Sequence, residues 1–266
     1  MINTLILEVT RRCNMKCAHC LRGAAQAVDM SYETIDATFA KLKDQSIRHL
    51  LFTGGEPALG HEAIRMVADA IERHDVSVDG WWVITNGKAK GELQRKFVQA
   101  LNAVHDVCQD NDNVSGLEIS NDNYHDYISD GRRENLIEQV NEFGWANNRL
   151  DASYFPTAKI RDKRDYYKLV PDGRAAKFSD SMLFGRWDQN YGMVEEEGDG
   201  YVDLTDVYIN ALGDVIPDCN FSFAYQKKVK LCSVYDEDFG SDRLIEVAKA
   251  WDVKLQKLKA LEETNV

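Results

Sequence analysis

The first 155 residues alternate short apolar runs with segments whose apolar residues recur at helical spacing. Tyr32, Ile35, Phe39 and Leu42 predict a helix, and Ser31 before them is a favourable N-cap. Strands that alternate with helices of this kind form βαβ units, whose right-handed crossovers give a parallel sheet covered by helices. Both a barrel and an open sheet satisfy the pattern, which predicts strands at residues 5–9, 50–53, 81–85, 117–120 and 150–155, with four helices between them.

The periodicity ends beyond Pro156. Residues 166–170 form a candidate sixth strand, and residues 207–211 and 215–216 flank Leu212-Gly213-Asp214 in the manner of a β-hairpin. Helical spacing returns near the end of the chain and predicts a terminal amphipathic helix. Its apolar positions are Leu244, Val247, Trp251, Leu255 and Leu258.

Three thiols lie in the loop that follows the first predicted strand, in Cys-Asn-Met-Lys-Cys-Ala-His-Cys at residues 13–20. Ligands of parallel α/β folds bind at the carboxyl ends of the strands, where this loop lies. Three thiolates are able to hold three irons of a cubane cluster and leave the fourth iron open. A zinc site completed by a histidine or carboxylate, or three unrelated thiols, are the alternatives, although zinc sites usually pair such a motif with a distant second pair of ligands.

Three further motifs end the next strands: Thr-Gly-Gly-Glu-Pro at 53–57, Thr-Asn-Gly at 85–87 and Ser-Asn-Asp at 120–122. All of them fall on the same edge of the predicted sheet as the cysteine loop. With Cys-x₃-Cys-x₂-Cys after the first strand and Gly-Gly-Glu-Pro after the second, residues 1–156 resemble the radical S-adenosylmethionine (SAM) superfamily. The resemblance implies an α/β fold, a partial (β/α)₆ TIM-like barrel of parallel strands with a C-terminal hairpin-plus-helix extension.

The resemblance also implies the cofactors, a [4Fe-4S] cluster and SAM. Cys13, Cys17 and Cys20 would hold the cluster, the amino and carboxylate groups of SAM would chelate its fourth iron, and one electron would split SAM into methionine and a 5′-deoxyadenosyl radical. The resemblance also implies the residues that contact SAM. Gly54 and Gly55 would admit a close backbone approach, and Glu56 would orient them. His19 would lie beside the adenine, and the polar residues after the third and fourth strands would complete the set: Thr85, Asn86, Ser120 and Asp122.

The motif Pro-Asp-Gly-Arg-Ala at 171–175 and the predicted hairpin resemble the start of the cysteine-rich SPASM-type extension of some radical SAM enzymes. Such extensions hold two auxiliary clusters with about seven cysteines, whereas only Cys219 and Cys232 lie in this region, so a cluster-free relative is expected. Residues 1–177 would form the radical SAM core, and residues 178–266 an extension that covers the active site. Relatives of this type mostly modify peptides or protein side chains, which makes a peptide the first substrate hypothesis.

Three alternatives stay open. The chain would act on a nucleotide or another small anionic metabolite if the basic segment 157–177, of net charge +4, binds substrate. It would activate a glycyl-radical enzyme, although such activases tend to show Asp-Thr-x-Gly where this chain has Thr85-Asn86-Gly87. It would be a non-catalytic module if it binds SAM and a cluster without cleavage.

The formal net charge of −12 repels nucleic-acid backbones, so general DNA or RNA binding is not expected. No apolar run reaches the ~18 residues of a membrane span, and the N-terminus lacks the features of a signal peptide. These features predict a cytoplasmic protein that does not enter a membrane. A one-electron reductant of the flavodoxin or ferredoxin type is the partner that the resemblance implies.

Overall fold

A computed structural model describes residues 1–109, 115–120, 124–125, 128–142, 158–160, 168–196 and 201–264. Its strands and helices are β1 (Ile2–Thr10), α1 (Tyr32–Leu42), β2 (Ile47–Gly54), α2 (His61–His74), β3 (Val78–Thr85), α3 (Gly91–Val107), β4 (Gly116–Ile119), α4 (Asp130–Glu142), β5 (Ala158–Ile160), β6 (Val194–Glu196), β7 (Val202–Ile209), β8 (Asp214–Ile216), α5 (Phe223–Val229), β9 (Cys232–Ser233) and α6 (Ser241–Glu263).

The first five strands form a parallel sheet in the order β5-β4-β3-β2-β1, and a helix connects each strand to the next. The Ser31 side chain caps α1 by accepting from the Thr34 N–H, as predicted. The α2 helix buries Ile64, Val67 and Ile71 in the core, because these residues recur on one face. The predicted α/β fold with a mostly parallel sheet and outer helices is confirmed.

The fifth predicted strand, residues 150–155, lies outside the described residues, and the structure places β5 at Ala158–Ile160. In the candidate sixth strand, residues 166–167 are likewise outside them. Leu169 forms only an isolated bridge to Leu183. The additional parallel strand is β7, which pairs with β1 on the side opposite β2. Its pairing is long-range, so neither propensity nor periodicity reveals it.

The predicted hairpin is present, because β7 pairs antiparallel with β8. Asn210 shapes its turn, since the side-chain Oδ1 accepts from the N–H groups of Leu212 and Asp214. The terminal helix is present as α6 and buries Trp251 and Leu255 in the core. None of the helices within the described ranges combines the length and apolarity required to span a bilayer.

A buried polar network joins β1 to the C-terminal part. The Glu8 carboxylate accepts from Arg11 Nε at 2.6 Å, from the Tyr208 hydroxyl at 2.5 Å, from Gln226 Nε2 at 2.8 Å and from the Ala211 N–H at 3.2 Å. A buried carboxylate is tolerated when its oxygens are fully hydrogen-bonded and a cation pairs with it. This network therefore fixes β7 and α5 against the strand that leads into the cysteine loop.

Candidate active site

The cysteine loop continues directly from β1 at the carboxyl edge of the sheet. Cys17 is buried, while Cys13 and Cys20 are half-buried, and all three pack with Met15 and Ile128. Burial raises the pKa of the Cys13 thiol. The three thiols line one cavity of about 680 Å³, to which Met15, His19, Gly55, Asn86, His125 and Arg174 also contribute.

The donor set fits the cluster that the motif implies. Three thiols from one loop open into one cavity, and no other cysteine within the described ranges lines it. Among those residues, no three histidine, cysteine, aspartate or glutamate side chains converge to hold a single metal ion. Ligands of a cubane cluster bind separate irons and need not converge in that way.

The two glycines after β2 allow the second strand to meet the cysteine loop. Gly54 has a φ of +147°, and a Cβ there would lie 2.1 Å from the Thr10 carbonyl oxygen. A Cβ on Gly55 would lie 2.2 Å from the Arg12 carbonyl oxygen. The Gly55 and Glu56 N–H groups donate to the carbonyls of Thr10 and Arg12, each at 2.8 Å. Only residues without a Cβ permit this backbone approach, so the glycines set the position of the loop.

Glu56 is buried and connects the ends of β2 and β3. Its Oε1 accepts from the Ala58 N–H at 3.2 Å and from the Thr85 hydroxyl at 2.5 Å, and its Oε2 accepts from the Asn86 N–H at 2.8 Å. Burial raises the pKa of the Glu56 carboxyl, and these hydrogen bonds lower it in part. With both oxygens engaged by the protein, Glu56 acts as a positioning residue.

Replacing Glu56 with glutamine should lower the free energy of unfolding by about 1–3 kcal/mol, because the amide leaves one buried donor without an acceptor. Urea denaturation measures the loss, and the matched control is Glu62→Gln, at an exposed position of α2. The pKa of the Glu56 carboxyl is higher in the folded protein than in the unfolded chain. Wild type should therefore gain stability relative to Glu56→Gln as the pH falls through the folded-state pKa. This gain should level off below about pH 4.3, the usual pKa of a glutamate in an unfolded chain. A gap that narrows on acidification would contradict this account.

The other predicted polar residues separate into two groups. Asn86 lines the cavity, where its Nδ2 donates to Asn14 Oδ1 at 2.9 Å. Thr85 is fully buried and donates to Glu56, while the Ser120 N–H donates to the Thr85 carbonyl at 2.9 Å. Asp122 lies outside the described residues. The structure thus brings Asn86 to the cavity and connects Thr85 and Ser120 behind it.

His19 lies at the cavity between two other rings. Its ring centroid is 5.2 Å from that of Tyr124 and 4.6 Å from that of His125, and His125 also lines the cavity. An imidazole in this position offers a flat face for stacking. No motif in the sequence marks His125 as a residue of this cavity.

The motif at 171–175 contacts the cysteine loop directly, a role that the sequence did not reveal. The Arg174 N–H donates to the Cys20 carbonyl at 2.9 Å, and its Nε donates to the Cys17 carbonyl at 2.8 Å. Gly173 has a φ of +56°, and a Cβ there would lie 2.1 Å from the Leu21 carbonyl oxygen. We call residues 172–174 the clamp, because they hold the loop from the side of the C-terminal part. In the sequence, the pair Gly173-Arg174 was the feature that could have indicated this contact.

One wall of the cavity comes from residues between 168 and 220. Lys168 and Phe184 lie together, with Nζ 5.9 Å from the ring centroid, and Gln189 and Asn220 complete the wall. No aspartate or glutamate occurs among the described residues that line the cavity. In a chain with a net charge of −12, this makes the cavity locally cationic.

Comparisons with known proteins agree with this geometry. Residues 6–125 match the family described as a 4Fe-4S single cluster domain. Native anSMEcpe with bound AdoMet and the Cp18Cys peptide superposes with a TM-score of 0.54 at 12% identity, over 93% of this chain and 82% of that one. The same protein with AdoMet and the Kp18Cys peptide gives 0.54 at 14%, over 92% and 80%. At these identities the likeness concerns the fold.

A curated relative matches over a shorter stretch. The uncharacterized protein MJ0907 of Methanocaldococcus jannaschii is 37% identical over 67 residues, which is 24% of this chain. The match spans only 23% of that relative's length.

Proposed function

We propose that the chain is a radical SAM enzyme, which reductively cleaves SAM to a 5′-deoxyadenosyl radical that abstracts hydrogen from a substrate. The match of residues 6–125 to the family described as a 4Fe-4S single cluster domain supports this proposal. The observation that carries the proposal is the single cavity that Cys13, Cys17 and Cys20 share with Gly55 and Asn86. The cluster, when bound, supplies the electron that breaks the carbon–sulfur bond of SAM.

The chain's own residues bind and orient in this scheme. The three thiolates hold the cluster, and the clamp and the two glycines fix the loop from opposite sides. Backbone groups of Gly54 and Gly55, the Asn86 amide and the His19 ring are our proposed SAM contacts, with Ser120 and Asp122 proposed from the motif alone. Glu56 and Thr85 keep this edge of the sheet in register. The wall from Lys168 to Asn220 would limit access of water to the radical.

We propose a peptide or protein side chain as the substrate. The fold is similar to that of a protein solved with peptides bound. The cationic lining favours a substrate with a carboxylate near the reacting carbon, so an acidic peptide fits both observations. A small anionic metabolite is the second candidate, on the same lining. Part of the basic segment 157–177, with Arg161, Lys163 and Arg164, lies outside the described residues.

The chemistry suits a reducing compartment, for which we propose the cytoplasm. All six cysteines are free thiols. Where thiols stay reduced, disulfides are rare. A labile iron–sulfur cluster also persists under such conditions.

The decisive experiment is anaerobic reconstitution with iron and sulfide, followed by SAM and dithionite. We expect 5′-deoxyadenosine and methionine in equal amounts, measured by chromatography, and faster release once a substrate peptide is present. The control omits dithionite. A cluster that forms and binds SAM but yields no 5′-deoxyadenosine with any reductant would favour the non-catalytic module instead.

A further inference from the structure

Arg174 brings a positive charge to the cavity that the three thiols line. Its side chain is half-buried and lines this cavity together with Cys13, Cys17 and Cys20. Its Nε, which is part of the guanidinium, donates to the Cys17 carbonyl at 2.8 Å, and its backbone N–H donates to the Cys20 carbonyl at 2.9 Å. Because the charge of a guanidinium is delocalised over its nitrogens, these contacts hold a full positive charge against the cysteine loop.

The nearest acidic residue in the sequence is engaged elsewhere. Asp172 accepts from the Gly173 N–H at 2.8 Å and from the Ser222 N–H at 2.9 Å, and its Oδ2 lies 3.7 Å from Arg186 Nη1. Among the described residues, no aspartate or glutamate lines the cavity. In that part of the chain, then, no carboxylate forms an ion pair with Arg174.

Lys168 is the other lysine or arginine among the described residues of the cavity wall. It is exposed, and its Nζ lies 5.9 Å from the ring centroid of Phe184. Water and salt screen an exposed charge more strongly than a half-buried one. Of the two cations, Arg174 therefore acts more strongly on charge that develops at the cysteine loop.

We propose that Arg174 is a positioning residue whose charge raises the reduction potential of the cluster that the loop holds. The inference rests on the function proposed above for its cluster, but not for the cleavage of SAM. Three thiolates bring negative charge to the site, and reduction adds one more, so a nearby cation favours the reduced form. Net charge is one of the features that set the potentials of iron–sulfur clusters.

The electron comes from an external one-electron reductant, for which dithionite serves in the test. The reductant loses one electron and the cluster gains it, and no bond forms or breaks. A purely structural role is the competing account, in which Arg174 holds the loop through the shape of its guanidinium and its charge has no effect. The two accounts differ in what a lysine at this position does, because lysine keeps the charge and lacks the planar group.

The test uses the full chain reconstituted anaerobically with iron and sulfide, without SAM. Arg174→Gln removes the charge and keeps an amide donor, whereas Arg174→Lys keeps the charge. The matched control is Lys177→Gln, which makes the same change in charge at an exposed position three residues further along. Redox titration with dithionite, followed by the electron paramagnetic resonance signal of the reduced cluster, gives each potential. All titrations use one pH, because His19 and His125 also line the cavity.

In Arg174→Gln we expect the ratio of reduced to oxidised cluster at a fixed applied potential to fall about tenfold. For a one-electron couple this is a shift of about 59 mV to more negative potential. Arg174→Lys and Lys177→Gln should keep a potential close to that of wild type. An unchanged potential in Arg174→Gln, or an equal shift in Lys177→Gln, would overturn the proposal. An equal shift in Arg174→Lys would assign the effect to the shape of the guanidinium and would overturn it as well.

Iron content and the urea midpoint show whether Arg174→Gln still folds and holds the cluster. If it does not, Gln189→Glu takes its place, because Gln189 lines the cavity and the change adds a carboxylate with almost no change in size. The added negative charge opposes that of the guanidinium, so the potential should again become more negative. A potential equal to that of wild type in this variant would contradict the proposal.

Failure of the proposed function gives a different result. Since the potentials are measured without SAM, the test of Arg174 does not depend on cleavage. A wild type that forms the cluster but yields no 5′-deoxyadenosine with dithionite would refute the proposed function and leave the potentials to decide the role of Arg174. A wild type that takes up no cluster would overturn both proposals.

Discussion

Replacing Cys13, Cys17 and Cys20 together with alanine is expected to abolish iron binding and to bring SAM cleavage below detection. The three thiols line one cavity, and iron–sulfur clusters are held by thiolates, so the variant lacks all three thiolates that the loop supplies. Iron and sulfide content, the visible cluster spectrum and 5′-deoxyadenosine formation measure the effect. Each single alanine variant should already lose most of the cleavage, because the loop supplies only three ligands.

The matched control is Cys108→Ser, which removes a thiol that is half-buried after α3 and does not line the cavity. It should keep both the cluster and the wild-type rate. SAM cleavage in the triple alanine variant would refute the assignment of the ligands. A loss of cleavage in Cys108→Ser that equals the loss in the triple variant would show that the effect is not specific to the loop.

The two cysteines of the C-terminal part, Cys219 and Cys232, have raised thiol pKa values. Burial, together with the nearby Asp218 carboxylate, raises the pKa of Cys219 to about 12. Burial likewise raises the pKa of Cys232 to about 11. Both are therefore protonated thiols at neutral pH, and a metal binds the thiolate.

Local patterns in the sequence predicted the parts of the fold that local physics determines. The helical spacing behind Ser31, the strand before the cysteine loop and the hairpin around Gly213 all depend on residues close in sequence. The site followed from one further rule, that parallel strands bring their carboxyl ends to a common edge. That rule was sufficient to place Gly55 and Asn86 beside the cysteine loop.

The contacts that no local pattern encodes were not predictable. Arg174 reaches the Cys17 carbonyl across 157 residues of sequence, and Tyr208 reaches Glu8 across 200. Periodicity assigns a residue to a face of an element but does not say which distant element covers it. The pairing of β7 with β1 and the role of the clamp both belong to this class.

The close contact at Gly55 gives the second large expected effect. The Gly55 N–H donates to the Thr10 carbonyl, and the space beside its Cα is taken by the Arg12 carbonyl. An added methyl group would meet that oxygen at 2.2 Å, so the two backbone segments must move apart. The neighbouring atoms belong to the backbone, so a change of side-chain rotamer cannot relieve this contact. The displacement would pass directly into the loop that carries Cys13.

Gly55→Ala should therefore lower SAM cleavage by at least about a hundredfold, since misplacement of reacting groups by about 1 Å costs that much. The matched control is Gly131→Ala in α4, where an added Cβ meets nothing within 4 Å and alanine favours the helix. Cluster content, SAM affinity and the urea midpoint are measured with the rate. A normal cluster and midpoint together with weak SAM binding would place the damage at the SAM contact. A wild-type rate in Gly55→Ala would mean that the close approach of β2 to the cysteine loop is not required for catalysis.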